Sequence, residues 1–199
     1  MENFQSENFQ DPNPPAGQEK GSGLRRFVID VLETVILSLV LFLGINAISA
    51  RIRVESISMQ PTLYAGDFVI VNKIAYKLGE PNRGDVIVFH FPPDPSREPY
   101  IKRVIGLPGD DVAVAGGVVY INDIAMREPY IKSPPNYEDS WEVPPDHLFV
   151  LGDNRNNSSD SHSWGMVPLD YVIGKAEVVY WPPSEWRLLN RATAAAAEE

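Results

Sequence analysis

Eighteen consecutive positions, Val31 to Ile48, read VLETVILSLVLFLGINAI and hold a single charge, Glu33. At about 1.5 Å of rise per residue, such a run with its flanks covers a hydrocarbon core of about 30 Å. Asp30 and Glu33 lie towards the end that carries Arg25 and Arg26, where they reach the headgroup region instead of the bilayer centre. A cleaved leader would explain the charged start and the small residues at Ala47-Ile48-Ser49, but its apolar region usually runs only about 7–15 residues. A buried core helix that is apolar on all sides needs a larger body around it than 199 residues supply. The expectation is a transmembrane anchor helix over residues 25–50, preceded by a disordered polar tail over 1–24. Lys20, Arg25 and Arg26 on one flank outweigh Arg51 and Arg53 on the other, which favours a cytoplasmic N-terminus and a body on the far side.

From Arg51 the periodicity changes. Phe68–Lys73, Asp85–Phe91, Tyr100–Leu107, Asp111–Ala115, Val118–Ile121, His147–Leu151 and Gly174–Trp181 are short runs rich in valine, isoleucine and aromatics, separated by glycine, proline, asparagine or aspartate. Ala115-Gly116-Gly117-Val118 reads as a tight hairpin, and Pro129–Pro145 as a long connection. Six or seven such strands without helices between them predict a mainly β body of antiparallel sheets over 51–190. Residues 191–199, alanine and glutamate in the main, read as a flexible tail. A formal charge of −10 opposes nucleic-acid binding. With no cysteine and three scattered histidines, disulfides, thiol chemistry and the common zinc spacings are excluded.

The chemistry begins at Ser56-Ile57-Ser58-Met59-Gln60-Pro61-Thr62. Pro61 restricts its neighbour and holds Ser58 at a strand end or turn, where a hydroxyl and a backbone N–H can face one space. Such a serine needs a base. Asp160 and His162 supply the residues of a triad, although near neighbours in sequence seldom face each other as a triad requires. The other candidate is a desolvated lysine. In Tyr100–Ile105, Lys102 shares a face with Tyr100 and Val104, while Arg103 shares the opposite one with Ile101 and Ile105. Both faces are apolar, so at least one charge is buried, paired or at an edge, and periodicity does not choose between them. A third stretch, Gly152 to Gly165, is almost wholly polar: either a surface loop of Asx turns or a network that wires a site from a strand end.

Taken together, Ser56–Leu63, Arg83–Phe89, Tyr100–Asp110 and Gly152–Ser161 resemble the ordered signature boxes of type I signal peptidases. The resemblance runs from the apolar segment to about Trp181. It implies the β-fold shared by signal peptidases and LexA-like proteins, and a membrane-bound serine endopeptidase that removes signal peptides from exported preproteins after small residues at −3 and −1. It implies a Ser/Lys dyad, no metal and no cofactor. Its partners would be signal-peptide-bearing preproteins and the lipid bilayer, in a plasma or thylakoid membrane. Position by position, Ser58 becomes the nucleophile and Lys102 the general base. Ser56 joins the Ser58 backbone N–H as an oxyanion donor, Ser158 orients the lysine, and Asp160, Arg155 and Asp153 support the site.

The chain departs from the commonest pattern in three places. Ile57 stands where many members have glycine, and His162 where an arginine is usual, which removes the arginine that would pair with Asp160. Both resemble the cyanobacterial and thylakoid branch. The insertion over about 111–146 is reduced to a hairpin and a loop. Two other readings share some of these features: a self-cleaving repressor-type Ser/Lys protease, and a non-catalytic, membrane-tethered β-domain that binds peptides. Tyr180, Trp181 and Trp186 are a candidate interfacial patch, or ordinary core aromatics.

Overall fold

The computed structural model describes residues 20–189 and 195–196, so residues 1–19 of the expected polar tail lie outside the described residues, while its last five, Lys20 to Leu24, belong to the helix that follows. Helix α1 spans Lys20–Ile48, and its side chains from Gly23 onward are exposed. It is long and apolar enough to cross a membrane. The chain divides after Leu43, and the second unit contains the β body.

In chain order the strands are β1 Ser49–Arg53, β2 Phe68–Asn72, β3 Val86–Phe89, β4 Tyr100–Gly106, β5 Asp111–Ala115, β6 Val118–Ile121 and β7 Ile124–Arg127. They continue with β8 Asp139–Glu142, β9 His147–Leu151, β10 Val167–Pro168, β11 Val172–Trp181, β12 Arg187–Leu188 and β13 Ala195–Ala196. A four-residue helix, α2, covers Ser161–Trp164. Among the described residues the larger sheet runs β1-β2-β11-β3-β4-β9-β10, with β12 added beside β11, and the smaller runs β13-β7-β6-β5-β8. All the pairings are antiparallel.

The expected strands all form. The hairpin forms with Ala115 opposite Val118, and Gly116 and Gly117 take φ of 57° and 78°, which residues with a β-carbon rarely adopt. Two expectations need correction. The connection over Pro129–Pro145 contains β8, which pairs with β5 as an edge strand. Three of its four residues are exposed, so it lacks the apolar alternation that marks a strand in sequence. The tail also contains a paired piece, since Ala195 and Ala196 lie opposite Arg127 and Met126.

Burial follows the strand pattern. In β3, Ile87, Val88 and Phe89 are fully buried, with side chains packed on both faces of the sheet. Each such side chain contributes about 1.5–3 kcal/mol by leaving water. One core cluster joins Val69, Val71, Val88 and Ile101 to Met59 and Leu63. Met59 follows Ser58 directly, so the turn carrying that serine is pinned to the core by its neighbour. Trp181 and Trp186 are half or more exposed, whereas Tyr180 packs its ring against Phe68.

Candidate active site

Ser58 sits in a turn beyond β1 and is 5% exposed. Its backbone is fixed by a segment far along the chain: Asn154 N–H donates to the Ser58 carbonyl at 2.9 Å, and Asn154 Nδ2 donates to the Ile57 carbonyl at 3.1 Å. Two groups converge on its hydroxyl. Lys102 Nζ donates to Ser58 Oγ at 2.7 Å, and Ser56 Oγ lies 3.1 Å from the same atom. Lys102 is 4% exposed, comes from the middle of β4, and also donates to the carbonyl of Ile101 at 3.2 Å. The Tyr100 ring flanks the amine, with its centroid 5.4 Å away. Burial pushes the amine down to about 8, against the opposing pull of Asp160 and Asp153.

The ambiguity between Lys102 and Arg103 has a physical answer. Both are buried, on opposite faces of β4, and they are stabilised differently. Arg103 makes a bidentate pair with Asp153 at 2.8 and 2.6 Å, donates to the Gly84 carbonyl at 2.9 Å, and lies 4.0 Å over the Tyr130 ring. Thr62 donates to the same Asp153 carboxylate. Arg103 is therefore paired through its Nε and both terminal nitrogens, and it ties β4 to the polar loop. Lys102 has no carboxylate within ion-pair distance among the described residues.

The polar loop is a network, not a solvated turn. Arg155 makes a second bidentate pair, with Glu128 at 2.7 and 2.6 Å, and its Nε donates to the Gly152 carbonyl at 3.2 Å. Burial alone would weaken the guanidinium's hold on its proton, and the Glu128 carboxylate more than offsets it. Asp160, fully buried, accepts from the Gly152 N–H at 2.9 Å and lies 2.5 Å from His162 Nδ1. Histidine thus occupies the place of the missing arginine. Asp160 also caps α2.

One sequence expectation meets a different geometry. Ser158 makes no hydrogen bond to Lys102: its Oγ is buried without a partner among the described residues, and the strand's own Ile101 carbonyl takes the amine instead. Asp160 and Arg155 support the same loop through separate partners, His162 and Glu128. Sequence reasoning missed Glu128. It follows β7 in a stretch with no strand pattern of its own, and its only signal was a lone acid two positions before Tyr130. Nor does any histidine among the described residues bond to Ser58, which leaves a Ser-His-Asp triad without its central contact.

Gly152 is required by close approach. A β-carbon there would come within 2.3 Å of Ser158 Oγ and 2.5 Å of the Ser58 carbonyl oxygen. The second is backbone and cannot rotate away. Gly152→Ala is expected to lower kcat/KM at least about tenfold and stability by about 1–3 kcal/mol, as seen by preprotein cleavage and thermal melting. An unchanged kcat/KM would show that the Ser58 backbone yields freely.

The comparisons with known proteins identify the family. A family model described as signal peptidase, peptidase S26, matches residues 28–181. A signal peptidase I of Leptolyngbya laminosa is 49% identical over 179 residues, 85% of this chain and 86% of its own length. A probable signal peptidase I-2 of Synechocystis is 44% identical, over 81% of this chain and 77% of its own length. Thylakoidal processing peptidase 1 of Arabidopsis thaliana is 37% identical over 70% of this chain and 44% of its own length. With the family model covering most of its length and relatives of this identity, the chain belongs to the type I signal peptidases of peptidase family S26, in the cyanobacterial and thylakoid branch.

Proposed function

We propose that this signal peptidase hydrolyses its substrate with a Ser58/Lys102 dyad. The observation that carries the reading is the 2.7 Å contact between two buried groups, Lys102 Nζ and Ser58 Oγ. In the resting state the ammonium donates to the serine oxygen. Once it loses a proton to solvent, the direction reverses: the Ser58 hydroxyl donates to the amine lone pair. The neutral amine then takes the Ser58 proton as Oγ attacks the scissile carbonyl. The oxyanion so formed is met by the Ser58 backbone N–H and by the Ser56 hydroxyl, which turns from Ser58 Oγ towards it. The ammonium returns its proton to the leaving amine, and an ester on Ser58 remains. Water, deprotonated by the same lysine, hydrolyses that ester. Ser158, whose buried hydroxyl has no partner among the described residues, becomes the acceptor for one of the three N–H groups of the newly formed ammonium as the site tightens around substrate.

The substrates are preproteins whose signal peptides end in small residues at −3 and −1. The proposed steps use this chain's own side chains and backbone, with water as the second nucleophile. α1 serves as a single-pass anchor in a plasma or thylakoid membrane, its N-terminus cytoplasmic and the β body extracytoplasmic.

The reading is tested by pH. A base held near 8 predicts that kcat/KM climbs with pH on the acid side and levels off near pH 8, well below the value of about 10.4 for a free lysine. A rising limb centred near that free value, or no limb at all, would overturn the assignment of the base.

A further inference from the structure

His162 is the one of the three histidines that touches this network, and it does so from outside the dyad. Of the four carboxylates and guanidiniums buried around Lys102 in pairs, Arg103 cancels Asp153 and Arg155 cancels Glu128. Asp160 is different. Its ion-pair partner among the described residues is His162 alone, at 2.5 Å, and the imidazole face is stacked on Tyr137 with centroids 4.2 Å apart and planes 8° from parallel. An arginine there would always be charged, whereas an imidazole changes charge between about pH 5 and 8. The net charge beside the lysine therefore depends on one proton. We propose that His162 is a positioning residue that acts through Asp160, its protonation cancelling the Asp160 charge and so favouring the neutral, base-competent form of Lys102.

The groups that face this path are few. Asp160 meets the Gly152 N–H and His162; His162 meets Asp160 and the Tyr137 ring; Lys102 meets Ser58, the Ile101 carbonyl and the Tyr100 ring. None of the neutral ones changes charge in the acid range. Asp160 is also the foremost of the charges that favour Lys102 keeping its proton, ahead of Asp153. Cancelling it leaves desolvation less opposed. The two sites are thus coupled: a proton taken up by His162 weakens the hold of Lys102 on its own. The consequence is a peptidase that loses less activity on acidification than a lone lysine base would.

The inference rests on Lys102 being the base, and the test separates the two. The measurement is log(kcat/KM) against pH for the full chain in detergent, cleaving a preprotein, as wild type, His162→Arg and His162→Gln. Arginine fixes the charge, and glutamine removes it while keeping an N–H for Asp160. Along the acid limb His162→Arg should exceed His162→Gln by about threefold or more, and the wild type should follow glutamine where its imidazole is neutral and arginine where it is charged. The wild-type profile alone should show a shoulder of about half to one log unit between these limits, which needs no variant to fold. A straight wild-type line of unit slope, or superimposed Arg and Gln profiles, overturns the coupling. A rising acid-side limb missing from all three overturns the Lys102 assignment instead. Lysine-Cε NMR titration in a Ser58→Ala background, with each residue at 162, reads the same shift without turnover.

Discussion

Lys102→Met and Ser58→Ala should each abolish preprotein cleavage, lowering kcat by about 10⁴-fold or more, and the double variant should be no worse than either. In the proposed dyad the two groups act as one unit: the serine is no nucleophile without a base, and the base has no proton to take without the serine. Folding should survive both changes. Lys102 is buried without a carboxylate partner, so its charged form opposes folding at neutral pH. Its depressed proton affinity means that the unfolded chain binds the proton more tightly, so the folded state gains stability as pH rises from about 8 towards the unfolded lysine value. Methionine removes that penalty, and Lys102→Met should melt no lower than wild type at neutral pH. If both variants still cut a preprotein in detergent, the dyad is wrong. If Lys102→Met unfolds, the amine is a structural prop and not a desolvated base.

The opposite outcome is expected on the other face of β4. Asp153→Ala leaves the Arg103 guanidinium 1% exposed and without its two strongest bonds. Breaking a buried pair from one side costs about 3–5 kcal/mol, which for a domain of this size lowers the thermal midpoint by roughly 10 °C. Arg103→Met with Asp153→Leu removes both charges and should recover most of that loss, although Thr62 then lacks its acceptor. A double variant as unstable as Asp153→Ala alone would show that packing, not the unpaired charge, dominates. Adjacent residues on one strand thus predict contrary effects: loss of activity without stability at 102, loss of stability at 153 through 103.

That contrast also explains what could be read in advance. Strands such as β2 and β5 alternate buried and half-exposed positions, and period two found them. β8 and β12 sit at edges with little to bury, so their pairing comes from backbone bonds that leave no mark in sequence. At the site, Ser58 and Lys102 were legible from the motif boxes, and the structure brings them into contact. The partner of Arg155 was not. Arg155 and Glu128 are 27 residues apart, joined only once the smaller sheet has folded. The direct lysine–Ser158 contact was expected from resemblance, but a strand carbonyl lies nearer than a side chain from a separate loop.

The strand order has a consequence for how the protein comes into being. β11, the last long strand to leave the ribosome, lies between β2 and β3, which are made about a hundred residues earlier. Until it arrives, those two have no shared neighbour, and the loop that grips Ser58 lies just upstream of it. A nascent chain that has made Ser58 and Lys102 therefore still lacks the strand that joins the two halves of the larger sheet, and on the proposed dyad its activity waits for β11.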